Sequence, residues 1–270
     1  MTRYAAMFER CRSRGEGALG AFLMLGDPDP ASCDAYLDAL VEGGADLVEV
    51  GIPFSDPIAD GPVIQRAASR ALAAGVRTAD CLAMVARFRA RHPQVPVGIL
   101  TYANIVAARG IDGFAAELAE AGADSLLVAD VPSLEAAPYA QAARAAGIDL
   151  VMIAAPNTPA ATIGRIACLS SGYTYCVARP GVTGADTDLQ LDHRDLFDEL
   201  AAAGAAPPVL GFGIARPDHV TQALRHGAAG VICGSALVER VARGQTPAEL
   251  AAFVAELKAA ACLDLAPLPL

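Results

Sequence analysis

Short apolar runs alternate along this chain with alanine-rich stretches that have the period of an amphipathic helix. The runs are nearly continuous in apolar residues, as is typical of parallel strands that helices cover on both faces. The pattern therefore predicts eight parallel strands, at residues 20–25, 46–51, 95–102, 125–130, 149–154, 173–178, 208–213 and 230–235.

The predicted helices lead into the strands through one repeated arrangement. A glycine follows the helical stretch and the strand starts one to three residues later, which is typical of a left-handed helix cap. These glycines are Gly44, Gly122, Gly147 and Gly227. Eight such units predict a single (β/α)8 TIM barrel over residues 1–270. An open doubly wound sheet is the alternative, although no GxGxxG follows the first strand to favour it.

The two ends of the chain extend beyond these units. Residues 3–14 predict an extra N-terminal helix across the bottom of the barrel, and the tail at about 263–270 is expected to be extended and frayed. The first residues lack the apolar core of a signal peptide, and the longest apolar run near them is too short to span a bilayer. No internal stretch has the composition of a linker, so a single domain is expected.

Composition narrows the functional class. The chain is 54% hydrophobic and 19% charged, which is typical of a globular protein, and its net charge is −10. That charge disfavours nucleic acid and anionic membrane surfaces as partners, but backbone amides can still bind a small anionic substrate. Seven cysteines without a CxxC motif indicate reduced thiols and a cytoplasmic protein.

The stretch VEVGIPFSDPIADGP, residues 48–62, carries the first candidate chemistry. Glu49 lies in an apolar run near the end of the second strand, and Asp56 and Asp60 follow in the loop. Active sites of this barrel are built at that end of the strands, and a buried carboxylate is costly unless it is paired or used. Glu49 can equally be a structurally paired acid, and the two aspartates can be ordinary turn residues.

Two glycine-containing turns end the last two strands, GFGI (211–214) and CGSALV (233–238). Small residues beside a helix N-terminus suit a phosphate group, although they are also common in ordinary turns. The segment RPGVTGAD (179–186) has the composition either of a lid over a substrate or of a long surface loop.

The remaining candidates are weaker. Four histidines have no metal-ligand spacing, so we expect solvated side chains and no metal site: His92, His193, His219 and His226. Tyr102 and Tyr175 lie at strand ends, where an aromatic ring can line a pocket or fill the barrel.

Several stretches together resemble one family. VEVGIPFSDPIADGPVIQ, LTYAN, LLVADVP, RPGVTGA, LGFGI and AAGVICGSA follow the order and spacing of the tryptophan synthase α subunit, from about residue 22 to about residue 240. The resemblance implies a lyase that cleaves indole-3-glycerol phosphate to indole and glyceraldehyde 3-phosphate in tryptophan biosynthesis. It also implies no cofactor in this chain, and a pyridoxal-phosphate-dependent β subunit as partner in an α2β2 heterotetramer.

By the same resemblance, the catalytic acids of the family fall on Glu49 and Asp60. Glu49, in an apolar setting that raises its pKa, is expected to shuttle protons. Asp60, on a more solvated loop, is expected to stay ionised and to face the indole nitrogen.

The phosphate would bind at Gly184, Gly213, Gly234 and Ser235. The indole would be surrounded by Phe22, Ile64, Leu100, Leu127, Tyr175, Phe212 and Ile232. Arg179 and Thr183 would belong to the lid loop, with Thr183 also near the substrate.

Met24 and Pro180 depart from the family pattern, and Pro180 bears on the flexibility of the lid.

Two other functions stay open from the sequence alone. A phosphosugar isomerase on the same barrel would need one acid at the end of the first strand and another at the end of the fifth. The first strand ends in LGDPDP, but AAPNTP at the end of the fifth has no acid. A silent subunit that only activates a partner is disfavoured by the presence of both Glu49 and Asp60.

Overall fold

The computed structural model describes residues 1–177, 193–211 and 213–262. These residues form one sheet in which every neighbouring pair of strands is parallel. Its strand segments are β1 (Ala18–Met24), β2 (Leu47–Gly51), β3 (Val97–Thr101), β4 (Ser125–Val128), β5 (Asp149–Leu150), β6 (Met152–Ala154), β7 (Thr174–Val177), β8 (Pro208–Gly211) and β9 (Gly230–Cys233).

The sheet closes into a barrel through β5 and β6. The segments are ordered β5-β4-β3-β2-β1-β9-β8-β7-β6, so these two stand at opposite ends of the order. Only Val151 separates them along the chain, and its N–H donates to the carbonyl of Leu126 in β4 at 2.9 Å. They are therefore two parts of one strand. The predicted eight strands and the closed barrel are confirmed, and the open sheet is not observed.

Helices alternate with the strands and cover the sheet from outside, as parallel strands require. In the described residues they are α1 (Arg3–Ser13), α2 (Cys33–Glu42), α3 (Pro62–Ala73), α4 (Thr78–Arg91), α5 (Ala103–Ala107), α6 (Ile111–Glu120), α7 (Ala137–Ala146), α8 (Ala160–Leu169), α9 (Arg194–Ala202), α10 (Pro217–Arg225), α11 (Ser235–Ala242) and α12 (Pro247–Ala259). The four predicted cap glycines all have positive φ angles, from 76° at Gly147 to 101° at Gly227.

The N-terminal helix α1 lies across the bottom of the barrel, as predicted. It begins after Thr2, whose side chain accepts the N–H of Ala5, a usual N-cap arrangement. The Tyr4 side chain is fully buried, and its hydroxyl lies 2.8 Å from that of Ser125 at the start of β4. The guanidinium of Arg3 donates to Asp124 at 2.9 Å. These contacts tie α1 to the amino ends of the strands.

Two further sequence predictions concern surfaces and redox state. All seven cysteines are free thiols, and only Cys168 and Cys262 are exposed. Within the described ranges, no helix combines the length and the apolar character needed to cross a membrane. The predicted tail at 263–270 lies outside the described residues.

Candidate active site

The strands open at their carboxyl ends into a cavity of about 730 Å³, including its mouth. This is the end at which barrels of this kind carry their active sites. The cavity is lined by Phe22, Glu49, Asp60, Val63, Ile64, Leu100, Tyr175, Gly213, Ile214, Ala215, Ile232, Gly234, Ser235, Ala236 and Glu239. Both predicted catalytic acids therefore reach one cavity.

Glu49 projects from the middle of β2, between Phe22 of β1 and Gly98 of β3. It is 1% exposed, and the Tyr173 hydroxyl donates to its Oε1 at 2.7 Å. Burial raises the pKa of Glu49 to about 7, and the charge of Asp60 adds to that rise, whereas the Tyr173 hydrogen bond opposes it. Near pH 7 the side chain can therefore both give and accept a proton.

Tyr173 is supported from below by the N-terminal helix. Its ring centroid lies 5.3 Å from that of Tyr4, and both side chains are fully buried. Tyr173 was not predicted from the sequence as a site residue, although it stands two residues before Tyr175, which was. Residues two apart in a strand point to the same face, so this spacing could have predicted that Tyr173 also faces the barrel interior.

Asp60 is more buried than its loop position predicted. It is 7% exposed, and the Tyr102 hydroxyl donates to its Oδ2 at 2.8 Å. Burial outweighs this hydrogen bond and raises the pKa of Asp60 to about 6. The loop is more solvated than the strand that carries Glu49, as predicted, since Asp56 and Ile58 are exposed, but the Asp60 carboxylate itself is buried. The acid still ionises more readily than Glu49, so the predicted difference between the two acids is retained.

Tyr102 also holds the backbone of the loop that carries Asp60. Its hydroxyl accepts the N–H of Ala59 at 3.2 Å, and its ring stacks on Phe54 with centroids 5.3 Å apart. The Gln65 side chain donates to the Asp60 carbonyl at 2.8 Å. Asp60 thus enters the cavity from a restrained turn, whereas Asp56 is exposed and is not among the cavity residues.

The apolar wall of the cavity matches most of the predicted indole contacts. Phe22, Ile64, Leu100, Tyr175 and Ile232 all line it. Leu127 is buried in β4 beside Leu100 and is not among the lining residues. The sequence reading missed Val63, which contributes from the first turn of α3. Phe212 lies outside the described residues.

Another part of the cavity wall combines small residues with a helix start. Gly234 is the N-cap of α11, and Ser235 is its first residue. The atoms nearest to a Cβ placed on Gly234 belong to the Phe22 side chain, at 3.6–3.8 Å, so a methyl group here makes ordinary van der Waals contact. The described lining includes no lysine or arginine, and Glu239 there pairs with Arg243 at 2.7 Å. The predicted residues Arg179, Pro180, Thr183 and Gly184 lie outside the described residues.

The histidines are less solvated than predicted. The Nε2 of His92 lies 2.7 Å from Asp38, His193 is 6% exposed, and the Nδ1 of His219 lies 2.9 Å from the Gly213 carbonyl. Among the described residues, no group of three histidine, cysteine or acidic side chains is arranged to hold a metal ion.

We expect Tyr173→Phe to move the pH dependence of kcat to higher pH. The Tyr173 hydrogen bond stabilises ionised Glu49 and lowers its pKa, so its removal raises that pKa above about 7. A hydrogen bond to a charged group contributes roughly 1.5–3 kcal/mol, which corresponds to a displacement of about one pH unit or more. A pH–rate profile measures this displacement. Phenylalanine keeps the ring packed against Tyr4. An unchanged profile would therefore mean that Tyr173 contributes packing but does not affect the pKa of Glu49.

These features together define a (β/α)8-barrel enzyme with two buried carboxylic acids of different acidity in one cavity. Residues 8–263 match the family model described as tryptophan synthase alpha chain. The chain belongs to the tryptophan synthase alpha chain family. Family membership confirms the predicted lyase function, the α reaction of tryptophan synthase, and does not favour the isomerase or the silent subunit.

Individual relatives agree with the family match. The tryptophan synthase alpha chain of Klebsiella pneumoniae is 49% identical over 265 residues, which cover 96% of this chain and 98% of the relative. That of Aeromonas hydrophila is 50% identical over 239 residues, covering 88% and 89%. Among solved structures, tryptophan synthase subunit alpha from Legionella pneumophila has a TM-score of 0.86 at 32% identity, covering 96% and 98%. A Mycobacterium tuberculosis tryptophan synthase structure has a TM-score of 0.88 at 33% identity, covering 97% and 99%.

Proposed function

We propose that Glu49 and Asp60 have different catalytic roles in the cleavage of indole-3-glycerol phosphate. One observation carries this assignment. Glu49 is almost completely buried in the cavity wall and has a pKa of about 7, while Asp60 reaches the same cavity with a pKa of about 6. Two acids with separated pKa values in one site are suited to different roles.

Glu49 is assigned the proton transfers. Cleavage breaks the bond between indole C3 and the adjacent side-chain carbon, and C3 must gain a proton so that the ring accepts the bonding electrons. The hydroxyl on that side-chain carbon loses a proton as its carbon becomes the aldehyde carbonyl. The proton gained therefore balances the proton lost. A carboxyl group with a pKa close to the working pH can supply the first and accept the second.

Asp60 is assigned an electrostatic role. Protonation at C3 places positive charge on the indole ring nitrogen. An ionised carboxylate fixed near the ring N–H stabilises that charge, and it does so more strongly in a cavity that excludes water. Tyr102 restrains Asp60, so little reorganisation is needed when the charge develops.

The rest of the cavity is assigned to the two ends of the substrate. The apolar wall formed by Phe22, Leu100 and Ile232 suits the indole ring, and the start of α11 suits the phosphate. Backbone N–H groups and the helix dipole bind anions without a cationic side chain. Glu239 lines this end too, which makes such backbone donors the natural phosphate ligands among the described residues.

The direct test is to incubate the purified chain with indole-3-glycerol phosphate and to measure indole release without added metal or organic cofactor. We expect indole and glyceraldehyde 3-phosphate in equal amounts. Activity that disappears on exhaustive chelation and returns with a divalent ion would contradict the assignment of the chemistry to side chains alone.

We expect Gly234→Ala to raise KM about tenfold and to change kcat by less than about threefold. Alanine fits the fold because a Cβ here makes only ordinary contact with Phe22, but the methyl group occupies the space proposed for the phosphate. A tenfold change corresponds to about 1.4 kcal/mol of lost binding. Steady-state kinetics measure both constants. An unchanged KM would place the phosphate elsewhere.

We further propose that the end of the barrel carrying the cavity docks on a tryptophan synthase β subunit, in an α2β2 assembly in the cytoplasm, with pyridoxal phosphate bound only by the partner. Ile58 and Leu134 support this proposal. They are large apolar side chains, 73% and 70% exposed, in the loops after β2 and β4 at the same end of the barrel. Apolar side chains exposed on one face of a protein can contribute to an interaction surface. Ile58 lies two residues before Asp60 in the same loop.

A β subunit is therefore expected to raise the lyase activity of this chain. A partner that contacts the loop around Ile58 favours the arrangement that holds Asp60 in the cavity. If about a tenth of the free molecules are competent, saturation raises activity about tenfold. Titration of a cognate β subunit into the indole-release assay measures the effect. A flat response, with binding verified separately, would mean that the chain works alone.

A further inference from the structure

His219 lies beside the phosphate end of the cavity and has no part in the chemistry assigned above. It is half-buried in the first turn of α10. Its Nδ1 lies 2.9 Å from the Gly213 carbonyl oxygen and 3.4 Å from the Ala215 backbone nitrogen. Gly213, Ile214 and Ala215 all line the cavity. The imidazole therefore contacts both ends of the turn that borders the proposed phosphate site.

The two contacts cannot form together, because one ring nitrogen carries either a proton or a free lone pair. The contact with the Gly213 carbonyl has the ordinary length of an N–H···O hydrogen bond, whereas the contact with the Ala215 nitrogen is long. The distances thus favour the form in which Nδ1–H donates to the Gly213 carbonyl.

This hydrogen bond determines the orientation of a peptide group. In a planar trans peptide, the carbonyl of one residue and the N–H of the next point in opposite directions. A Gly213 carbonyl directed at His219 therefore points the Ile214 N–H away from His219, within the same peptide plane. Among the described residues, no acceptor is hydrogen-bonded to that N–H. A backbone donor without a protein acceptor at a cavity wall is available to an anion.

Because Gly213 has no Cβ, the backbone alone does not fix the orientation of the peptide that follows it. The Gly213–Ile214 peptide turns about ψ of Gly213 and φ of Ile214, and Gly213, which has a φ angle of +85°, lacks the Cβ that would restrict ψ. In the reverse orientation the carbonyl oxygen of Gly213 would replace the Ile214 N–H and would repel a phosphate. Within the part of the chain that the structure describes, the contact with His219 is the one that holds the carbonyl.

We propose that His219 is a positioning residue for substrate binding. It holds the Gly213–Ile214 peptide so that the Ile214 N–H is directed at the phosphate group, without itself contacting the substrate. This inference rests on the proposed function, since it takes the phosphate to bind at this end of the cavity. The recognised group is a phosphate monoester.

Three variants test the inference. His219→Ala removes the hydrogen bond, and His219→Asn restores a side-chain N–H close to the position of Nδ1. Gln222→Ala changes an exposed residue of the same helix and is the matched control. Equilibrium binding is measured with two probes, glycerol 3-phosphate for the phosphate end and indole for the apolar end, alongside steady-state kinetics with indole-3-glycerol phosphate.

We expect His219→Ala to weaken glycerol 3-phosphate binding and to raise KM about tenfold, with indole affinity and kcat within about twofold of wild type. His219→Asn should recover most of the lost affinity, and Gln222→Ala should match wild type. Unchanged glycerol 3-phosphate binding in His219→Ala, equal loss of both probes, or no recovery with asparagine would each overturn the role of His219. Failure of the wild-type chain to bind glycerol 3-phosphate while it still releases indole would instead contradict the proposed phosphate site.

Discussion

Glu49→Gln is expected to lower kcat by about 10²–10⁴-fold while the dissociation constant of the substrate stays nearly unchanged. Glutamine has the same shape as the acid, and its amide oxygen can accept the Tyr173 hydrogen bond observed at 2.7 Å. It cannot give a proton to indole C3 or take one from the hydroxyl. Single-turnover cleavage and equilibrium binding separate the two effects. A variant that keeps more than about a tenth of the wild-type kcat would exclude Glu49 as the proton shuttle.

The expected loss of kcat should not come from unfolding, because Glu49→Gln is also expected to stabilise the protein. The pKa of Glu49 is raised from its ordinary value of 4.5 to about 7, so the folded state binds the proton more tightly than the unfolded state. Stability therefore falls as the pH rises between those values, and above about pH 7 the full cost of about 3 kcal/mol applies. Glutamine carries no such cost.

Urea unfolding at two pH values measures this difference. At pH 8 the Glu49→Gln variant should unfold at a higher urea concentration than wild type, and below pH 4.5 the two should coincide. A variant that is both inactive and less stable at pH 8 would mean that Glu49 supports the structure rather than the reaction.

The barrel could be predicted from sequence because its signals are local. A parallel strand buried on both faces is a continuous apolar run, and a left-handed cap is a glycine at a helix end. Glu49 could be found for the same reason, since a single acid within the run of Leu47–Gly51 is itself unusual. The break at Val151 had no local signal, because it depends on how one strand pairs with different neighbours on its two sides.

The partners of the two acids could not be predicted, because they come from distant parts of the chain. Tyr173 is 124 residues from Glu49, and Tyr102 is 42 residues from Asp60. The turn sequence around Asp60 indicates an exposed loop, and only the closed barrel brings Tyr102 over it. The environment of His219 was misjudged similarly, since a polar residue near a helix start gives no sign of a carbonyl six residues earlier.

Asp60→Asn is expected to lower kcat by about 10²–10³-fold, the range found when one group that stabilises transition-state charge is removed. The asparagine oxygen can still accept the Tyr102 hydrogen bond, so the turn should keep its geometry, and KM should rise only by the contribution that ionised Asp60 makes to binding the ring N–H. Asp56→Asn, in the exposed part of the same loop, removes a charge without reaching the cavity and should stay within about twofold of wild type.

A second measurement distinguishes a charge that faces the ring nitrogen from a charge that acts elsewhere in the cavity. Benzofuran has the shape of indole but carries an oxygen in place of the ring N–H. The wild-type chain should bind indole more tightly than benzofuran because ionised Asp60 accepts the N–H, and a hydrogen bond to a charged group contributes roughly 1.5–3 kcal/mol. Asparagine is neutral, so Asp60→Asn should lose most of this preference. If the variant discriminates between the two rings as well as wild type does, Asp60 does not face the indole nitrogen, and its effect on kcat has another origin.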